Sequence, residues 1–146
     1  MDAIDLHHTP LHDDAALEEG LAALLAPVAR RQVWMLFLDQ DDVLTGPLMP
    51  SDDLPADPRR RWRAAAGQWR PACDLVAETF SAVLDDLGLA RLVIVWERPG
   101  TARLDTEVRE WARALHERFR ALGTPVRAQL LLSSHGMRVI TPDDLV

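Results

Sequence analysis

Three largely apolar runs, the first of them without polar alternation, most constrain what this chain can fold into. They cover residues 32–39, 91–96 and 124–133, and each is rich in Val, Leu, Ile or aromatic residues. A strand with one solvated face alternates apolar and polar residues, whereas a strand covered on both faces reads as a continuous apolar run. We therefore predict a sheet whose central strands are buried between layers on both sides.

Two segments between these runs have helical periodicity. Residues 72–88 and 105–123 place apolar side chains at steps of three and four, and each segment ends at a glycine suited to a helix C-terminus. A further helix is predicted from residue 13 or 14 to about residue 29. Strands that alternate with helices predict an α/β domain, with a three-layer arrangement of a mixed sheet and flanking helices.

The remaining elements are predicted from weaker signals. Residues 43–50 are predicted as a second strand that forms a hairpin with residues 32–39, with Pro47 at a sheet edge or bulge. Residues 138–140 are predicted as a short last strand. We expect residues 1–12 to form a flexible N-terminal tail and residues 13–146 to form one α/β domain.

Charge and composition exclude several classes of function. The chain of 146 residues has a net charge of −7, with 12 acidic residues and 2 arginines in residues 1–58 but 11 acidic residues and 14 arginines in residues 59–146. The acidic total argues against general nucleic-acid binding, and no apolar run approaches the ~20 residues of a membrane span. The lone Cys73 is expected to be a small buried residue in a reducing cytoplasm. The absence of Lys, Asn and Tyr, whose codons are rich in A and T, indicates a GC-rich bacterial genome.

Residues 59–71 combine arginines with tryptophans. Such a mixture can bind single-stranded nucleic acid through stacking and phosphate contacts. The alternative, which we favour from the sequence, is an amphipathic helical turn whose two tryptophans, seven residues apart, pack on the body of the domain. The candidate nucleic-acid contacts are Arg59, Arg60, Arg61, Trp62, Trp69 and Arg70.

The order of elements resembles the JAB/MPN domain, and most closely its RadC-like bacterial branch. The matching pieces are residues 33–39, 92–100, 122–125, 130–132 and 136–140, which include a proline turn after a buried strand and an L-G-T-P turn. The resemblance covers about residues 32–145 and implies the cytidine deaminase-like three-layer architecture. It also implies a zinc hydrolase site in the catalytic members, where two histidines and an aspartate hold the metal and a glutamate acts on the metal-bound water.

The residues that the resemblance places at the metal site are not metal ligands. Alignment on Pro99 puts Trp96 and Arg98 where the two histidines stand, Thr106 where a serine stands, and Arg109 where the aspartate stands. An arginine side chain stays protonated and cannot coordinate Zn²⁺. We therefore expect no catalytic residues, no metal and no cofactor, and we predict that the chain is not an enzyme.

Two further expectations follow for the same region. Trp96, Arg98, Thr106 and Arg109 are expected to converge near a helix N-terminus and to bind an anion such as a carboxylate or phosphate. Alternatively, Glu97, Asp105 or Glu107 pairs with these arginines and closes the site. The leading prediction is a non-catalytic protein-interaction or scaffold domain that binds an unidentified protein partner or self-associates; a ligand-binding regulatory domain is the alternative.

Overall fold

Residues 6–146 are described by the computed structural model of this chain. The elements are, in order, α1 (Asp14–Leu25), β1 (Gln32–Leu38), β2 (Met49–Ser51), β3 (Arg61–Arg63), β4 (Trp69–Pro71), α2 (Ala72–Leu87), β5 (Arg91–Glu97), α3 (Thr106–Leu122), β6 (Val126–Ser133), β7 (Gly136–Val139) and a 3₁₀ helix (Pro142–Leu145). Within this range no helix has the length and apolar character that crossing a bilayer requires.

Five strands form a mixed sheet in the order β2-β1-β5-β6-β7, and β3 and β4 form a separate hairpin. β1 pairs with β5 in antiparallel fashion over seven residues, and β5 pairs with β6 in parallel fashion. A parallel pair requires a crossover, which α3 provides between β5 and β6. The three predicted apolar runs therefore lie side by side at the centre of the sheet.

The sheet has an apolar core on each face. One cluster joins Val33, Met35 and Phe37 to α2 and α3, and the other joins Leu36 and Leu38 to α1. Because successive strand residues point to opposite faces, adjacent residues of β1 enter different cores. This confirms the prediction of an α/β fold with a mixed sheet and helices on both sides.

Helices α2 and α3 begin and end as their sequence patterns predict. Asp105 caps α3 by accepting a hydrogen bond from the Val108 amide at 2.8 Å, and Gly88 and Gly123 end α2 and α3 with φ values of +64° and +71°. The prediction for α1 was too long, since the helix ends at Leu25 and not near residue 29. Pro27 explains the difference, because a proline disfavours helical backbone at the residue before it.

Of two predictions for the segment between β1 and α2, one is confirmed in part and the other is wrong. The predicted antiparallel pairing of a second strand with β1 is present. The strand predicted over residues 43–50 is limited to Met49–Ser51, and only an isolated bridge joins Leu44 to β1. The Gly-Pro step at residues 46–47 interrupts pairing, since proline has no amide proton for a ladder. Residues 59–71 do not form a helical turn; they contain the β3–β4 hairpin, which turns at Gly67 with a φ of +87°.

The segment before α1 packs against the domain within the described residues. Leu11 is buried in the core on the α1 side, and its amide donates to the Asp42 carbonyl at 2.8 Å. The His12 Nδ1 atom lies 3.0 Å from Asp42 Oδ2. Residues just before the predicted domain boundary at residue 13 therefore pack against the domain. Residues 1–5 of the predicted flexible tail lie outside the described residues.

Candidate functional site

Trp96 is a core residue at the end of β5. Its side chain is buried, and its indole Nε1 donates to Gln129 Oε1 at 2.8 Å. The other end of the Gln129 amide donates to the Ala112 carbonyl of α3 at 2.8 Å. The Trp96 ring also packs against Trp111, with ring centroids 6.5 Å apart. Trp96, at a position that the resemblance implies for a metal ligand, therefore packs and hydrogen-bonds within the core and connects β5, β6 and α3.

Arg98 lies just beyond β5 as a half-buried cation. Its guanidinium carbon is 5.7 Å from the Trp96 ring centroid, within the range of a cation–π contact. Nη1 donates to the Gln32 and Glu97 carbonyls at 3.1 and 2.9 Å, whereas the buried Nε has no partner and Nη2 makes no hydrogen bond within residues 6–146. No carboxylate in the described chain forms an ion pair with it.

The surroundings of Arg98 disfavour its charge without removing it. Burial, followed by the nearby charge of Arg31, lowers the pKa of the Arg98 guanidinium from its ordinary value, while Asp105, Glu107 and Glu97 act in the opposite direction. Arginine remains protonated in proteins even so. The three carboxylates thus attract Arg98 without forming an ion pair with it, and an anion beside Arg98 would add a direct contact.

Glu97 does not neutralise either predicted arginine, which corrects one sequence-based prediction. As the neighbour of Trp96 in β5 it points to the opposite face of the sheet, where only 2% of its surface is exposed. Its Oε2 accepts hydrogen bonds from the Ala29 and Arg30 amides at 2.7 and 3.1 Å, and its Oε1 accepts from Gln32 Nε2 and Trp34 Nε1 at 2.8 and 2.9 Å. Glu97 thus anchors the segment that connects α1 to β1.

Asp105 and Glu107 pair with an arginine that the sequence did not single out. Arg31 Nη1 lies 3.4 Å from Asp105 Oδ2, and Arg31 Nη2 donates to Glu107 Oε2. The predicted neutralisation of Arg98 or Arg109 by these carboxylates is therefore wrong, because Arg31 occupies them. This pairing links the start of β1 to the first turn of α3, 74 residues later in the chain.

Thr106 and Arg109 do not join Arg98 in one pocket. Thr106 is exposed and its hydroxyl makes no hydrogen bond within residues 6–146. Arg109 lines a different cavity, together with Arg103, Arg138 and Asp144 near the 3₁₀ helix. The predicted convergence of four residues is therefore reduced to Trp96 and Arg98. Glu107 lines the Arg98 cavity, and Arg109, two residues later, points to a different side of α3.

Arg98 lines a small cavity between the start of β1, the end of β2 and the first turn of α3. This Arg98 cavity has a volume of about 40 Å³. Two carboxylates also line it, but Asp52 pairs with Arg30 at 2.8 Å and Glu107 pairs with Arg31. Arg98 is thus the one charged residue of its lining without an oppositely charged partner in the described chain. The space suits a group the size of a carboxylate, since a single water needs about 10–15 Å³ by the same measure.

A second cavity adjoins the Arg98 cavity, and sequence reasoning missed it. This apolar cavity of about 240 Å³ lies between β1, β2, the hairpin and α2. Its apolar lining consists mainly of Val33, Met35, Leu54, Trp62, Val76 and Phe80. The two cavities share Val33, Ser51 and Leu54. No local signal identifies such a space, because its walls come from four separate parts of the chain.

The β3–β4 hairpin divides the candidate nucleic-acid contacts between its two faces. Trp62 pairs with Arg70 across the hairpin; Trp62 packs on the core, and Arg70 forms an ion pair with Glu78 at 2.7 Å. On the opposite face, Trp69 is 60% exposed and pairs with Arg63. The prediction that both tryptophans share one face is therefore wrong, because side chains alternate in a strand.

Several arginines in the hairpin and just before it have no acidic partner. Arg59, Arg60 and Arg61 are exposed, and none forms an ion pair within residues 6–146. Arg61 Nη1 donates to the Trp69 carbonyl at 3.1 Å, which holds it beside the indole. The outer face of the hairpin thus carries cations next to an exposed aromatic ring.

The residues at the positions implied for zinc do not fit the metal. Trp96 is an indole donor that is already bonded, and Arg98 and Arg109 are cations. Within residues 6–146 no three His, Cys, Asp or Glu side chains are grouped so as to hold a metal ion. Cys73 is buried, as predicted.

Comparisons with known proteins provide no family for this chain. No model of a protein family matches it, and no curated protein matches it in sequence.

Proposed function

We propose that this chain is a non-catalytic JAB/MPN-like domain that binds an anionic ligand at Arg98. The order of elements supports the first part, since β1 and β2 are followed by α2, then by a buried strand, a proline turn, α3 and two closing strands. This is the order that the resemblance implies, with the β3–β4 hairpin added in the loop before α2. Trp96 within the core and the cations of Arg98 and Arg109 support the absence of hydrolysis.

The single observation that carries the binding proposal is the state of Arg98. It lines a cavity, its charge has no carboxylate partner in the described chain, and Nη2 is available for a hydrogen bond. A charge-assisted hydrogen bond to an anion is stronger than a neutral one. The protein partner and the self-association predicted from the sequence remain predictions.

Thermal-shift measurements with acetate, phosphate, nucleotides and acidic peptides test this proposal. We expect at least one anion to stabilise the wild type in a concentration-dependent way, and Arg98→Gln to abolish the shift. Arg109→Gln and Arg60→Gln serve as matched controls, because Arg109 lines another cavity and Arg60 is exposed without an ion pair. The proposal fails if no anion stabilises the wild type, or if Arg98→Gln responds as the wild type does.

A second candidate function is supported by the outer face of the hairpin. Exposed Trp69 beside Arg61 and Arg63 is suited to stacking on a base while the arginines contact phosphates. Single-stranded DNA binding should then weaken with rising salt and fall roughly tenfold or more in Trp69→Ala, since one base stack contributes about 1–3 kcal/mol. Arg120→Gln, an exposed change on α3, is the control. Unchanged binding by Trp69→Ala would exclude the hairpin as the contact surface.

A further inference from the structure

We propose that the ligand of Arg98 is a small amphipathic carboxylate whose apolar part occupies the apolar cavity. This inference rests on the proposed anion binding at Arg98 and adds the chemical class of the ligand. It is carried by the contact between two cavities of opposite character, one nearly all apolar and one containing a cation without a partner. Pockets for small molecules commonly combine an apolar lining with a few polar groups that set orientation.

The walls of the apolar cavity explain why a hydrocarbon would bind there. Val33 and Met35 of β1 form the floor, Trp62 of the hairpin closes one side, and Val76 and Phe80 of α2 form the other. Asp53 lines this cavity as its one charged residue, and its carboxylate accepts a hydrogen bond from Ser51 Oγ at 2.7 Å. An apolar group that moves from water into this cavity contacts the carbon and sulfur atoms of its walls. The free energy gained is roughly proportional to the apolar area removed from water.

The junction of the cavities limits the size of the ligand. The apolar cavity has about 240 Å³ and the Arg98 cavity about 40 Å³, so their combined volume is just below the range of roughly 300–1,000 Å³ for ligand pockets. The smaller space admits a carboxylate beside Arg98 but not a nucleotide. The shared residues Val33, Ser51 and Leu54 lie where the polar and apolar parts of the ligand would meet.

The sign of the charge follows from the residues that line the Arg98 cavity. Glu107 and Asp52 are engaged by Arg31 and Arg30, whereas Arg98 Nη2 donates to no described residue. An amine in the Arg98 cavity would meet Arg98 with both lining carboxylates already paired, since Asp53, which has no ion pair within residues 6–146, lines the other cavity. A carboxylate would instead supply the partner that this guanidinium lacks, so the ligand is expected to be an acid.

Calorimetric titration of the full chain with butanoate, hexanoate, octanoate and octanamide tests the inference. We expect affinity to rise roughly tenfold for every two methylenes added, as burial of each methylene predicts. Octanamide has the same apolar chain without the charge, and we expect it to bind about 10–100-fold more weakly than octanoate. This pair of ligands tests the role of charge on the wild type, so the result does not depend on whether a variant folds.

Two variants then separate the two cavities. Thr79→Phe places a ring at an exposed α2 residue that lines the apolar cavity, and we expect it to reduce octanoate affinity to that of butanoate. Ala82→Phe puts the same ring one turn away on the exposed side of α2 and should change nothing. Arg98→Gln should weaken octanoate to the affinity of octanamide.

The outcomes distinguish failure of the inference from failure of the proposed function. If butanoate binds at Arg98 as tightly as octanoate, or if Thr79→Phe binds octanoate as the wild type does, the apolar cavity is not part of the site and only the inference fails. If octanoate and octanamide bind equally, or if no carboxylate binds while another anion still gives an Arg98-dependent thermal shift, the inference also fails and the proposed function stands. If neither assay finds an anion whose binding depends on Arg98, anion binding at Arg98 is itself wrong.

Discussion

Replacement of Glu97 by Gln tests the most highly bonded buried side chain of the structure. The substitution keeps size and shape but removes the negative charge that accepts four hydrogen bonds. An amide oxygen can retain the two bonds from the Ala29 and Arg30 amides, which leaves the new NH₂ group facing Gln32 and Trp34. The Gln32 amide can turn to accept, but the Trp34 indole N–H then has no acceptor.

The expected loss follows from these bonds. One unsatisfied buried donor costs about 1–3 kcal/mol, and each remaining bond is weaker without the charge, since bonds to charged groups contribute about 1.5–3 kcal/mol and neutral ones about 0.5–1.5 kcal/mol. Relief of the desolvation of a buried charge offsets part of this loss. We expect Glu97→Gln to lower the free energy of unfolding by about 2–4 kcal/mol at pH 7, a large share of the 5–15 kcal/mol typical of a domain.

The pH dependence gives a sharper test than the loss itself. Burial alone would raise the pKa of the Glu97 carboxyl, but hydrogen bonds from Trp34, Ala29, Gln32 and Arg30 outweigh burial and bring it below its ordinary value of 4.5. A pKa that is lower in the folded state contributes stability that is present above the unfolded pKa and lost as the pH falls through the folded pKa. The difference between wild type and variant should therefore be full at pH 7 and shrink below about pH 4.5.

Urea unfolding followed by circular dichroism at pH 7, 5, 4 and 3 measures both effects. A loss of 2–4 kcal/mol corresponds to a fall of about 1–2 M in the midpoint for an ordinary dependence on urea. Glu117→Gln is the matched control, because Glu117 is exposed and makes no hydrogen bond or ion pair within residues 6–146. A midpoint for Glu97→Gln within about 0.2 M of wild type at pH 7, or the same difference at pH 3 as at pH 7, would refute the reasoning.

Three further predictions concern the core and the ends of the helices. Trp96→Phe removes the buried donor to Gln129, and we expect it to lower the free energy of unfolding in urea by about 2–4 kcal/mol. A change below about 0.5 kcal/mol would contradict this prediction. Gly123→Ala should cost about 1–2 kcal/mol from its φ of +71° alone, since no atom lies within 4 Å of the added Cβ; Gly123→Asn should recover part of the loss in thermal unfolding. Burial, and then the charge of Asp74, raises the pKa of the Cys73 thiol. Iodoacetamide at pH 7.5 should therefore label Cys73 at least about a hundredfold more slowly in the native protein than in urea. Equal labelling rates would contradict the burial of this thiol.

Local patterns were enough to predict the helices and central strands. The apolar composition of the runs that form β1, β5 and β6 indicates by itself that these strands are buried. The periodicity of α2 and of α3 likewise lies within a single element. The glycines that end α2 and α3 act within one turn. Each of these features depends on neighbours a few residues apart, which a sequence displays directly.

Predictions of charge pairs failed because the partners come from elsewhere in the chain. Glu97 was assigned to an arginine in its own loop, but its hydrogen bonds reach Ala29, 68 residues earlier. Asp105 and Glu107 were assigned to nearby arginines, but they pair with Arg31. A charge pattern indicates which residues need a partner; it does not indicate which partner the fold brings within reach.

The sequence alone therefore determined the α/β class, the two helices that end at Gly88 and Gly123, and the presence of non-ligand residues at the implied metal positions, because these depend on residue identity and short-range periodicity. Only the tertiary structure decided the state of Arg98. Because side chains alternate along β5, Glu97 is buried on one face of the sheet and Arg98 lies on the other. Arg31 pairs with Asp105 and Glu107, so these carboxylates do not form ion pairs with Arg98. The β3–β4 hairpin closes an apolar cavity beside Arg98. Side-chain direction across a strand and contacts between distant segments are set when the sheet and its layers pack together.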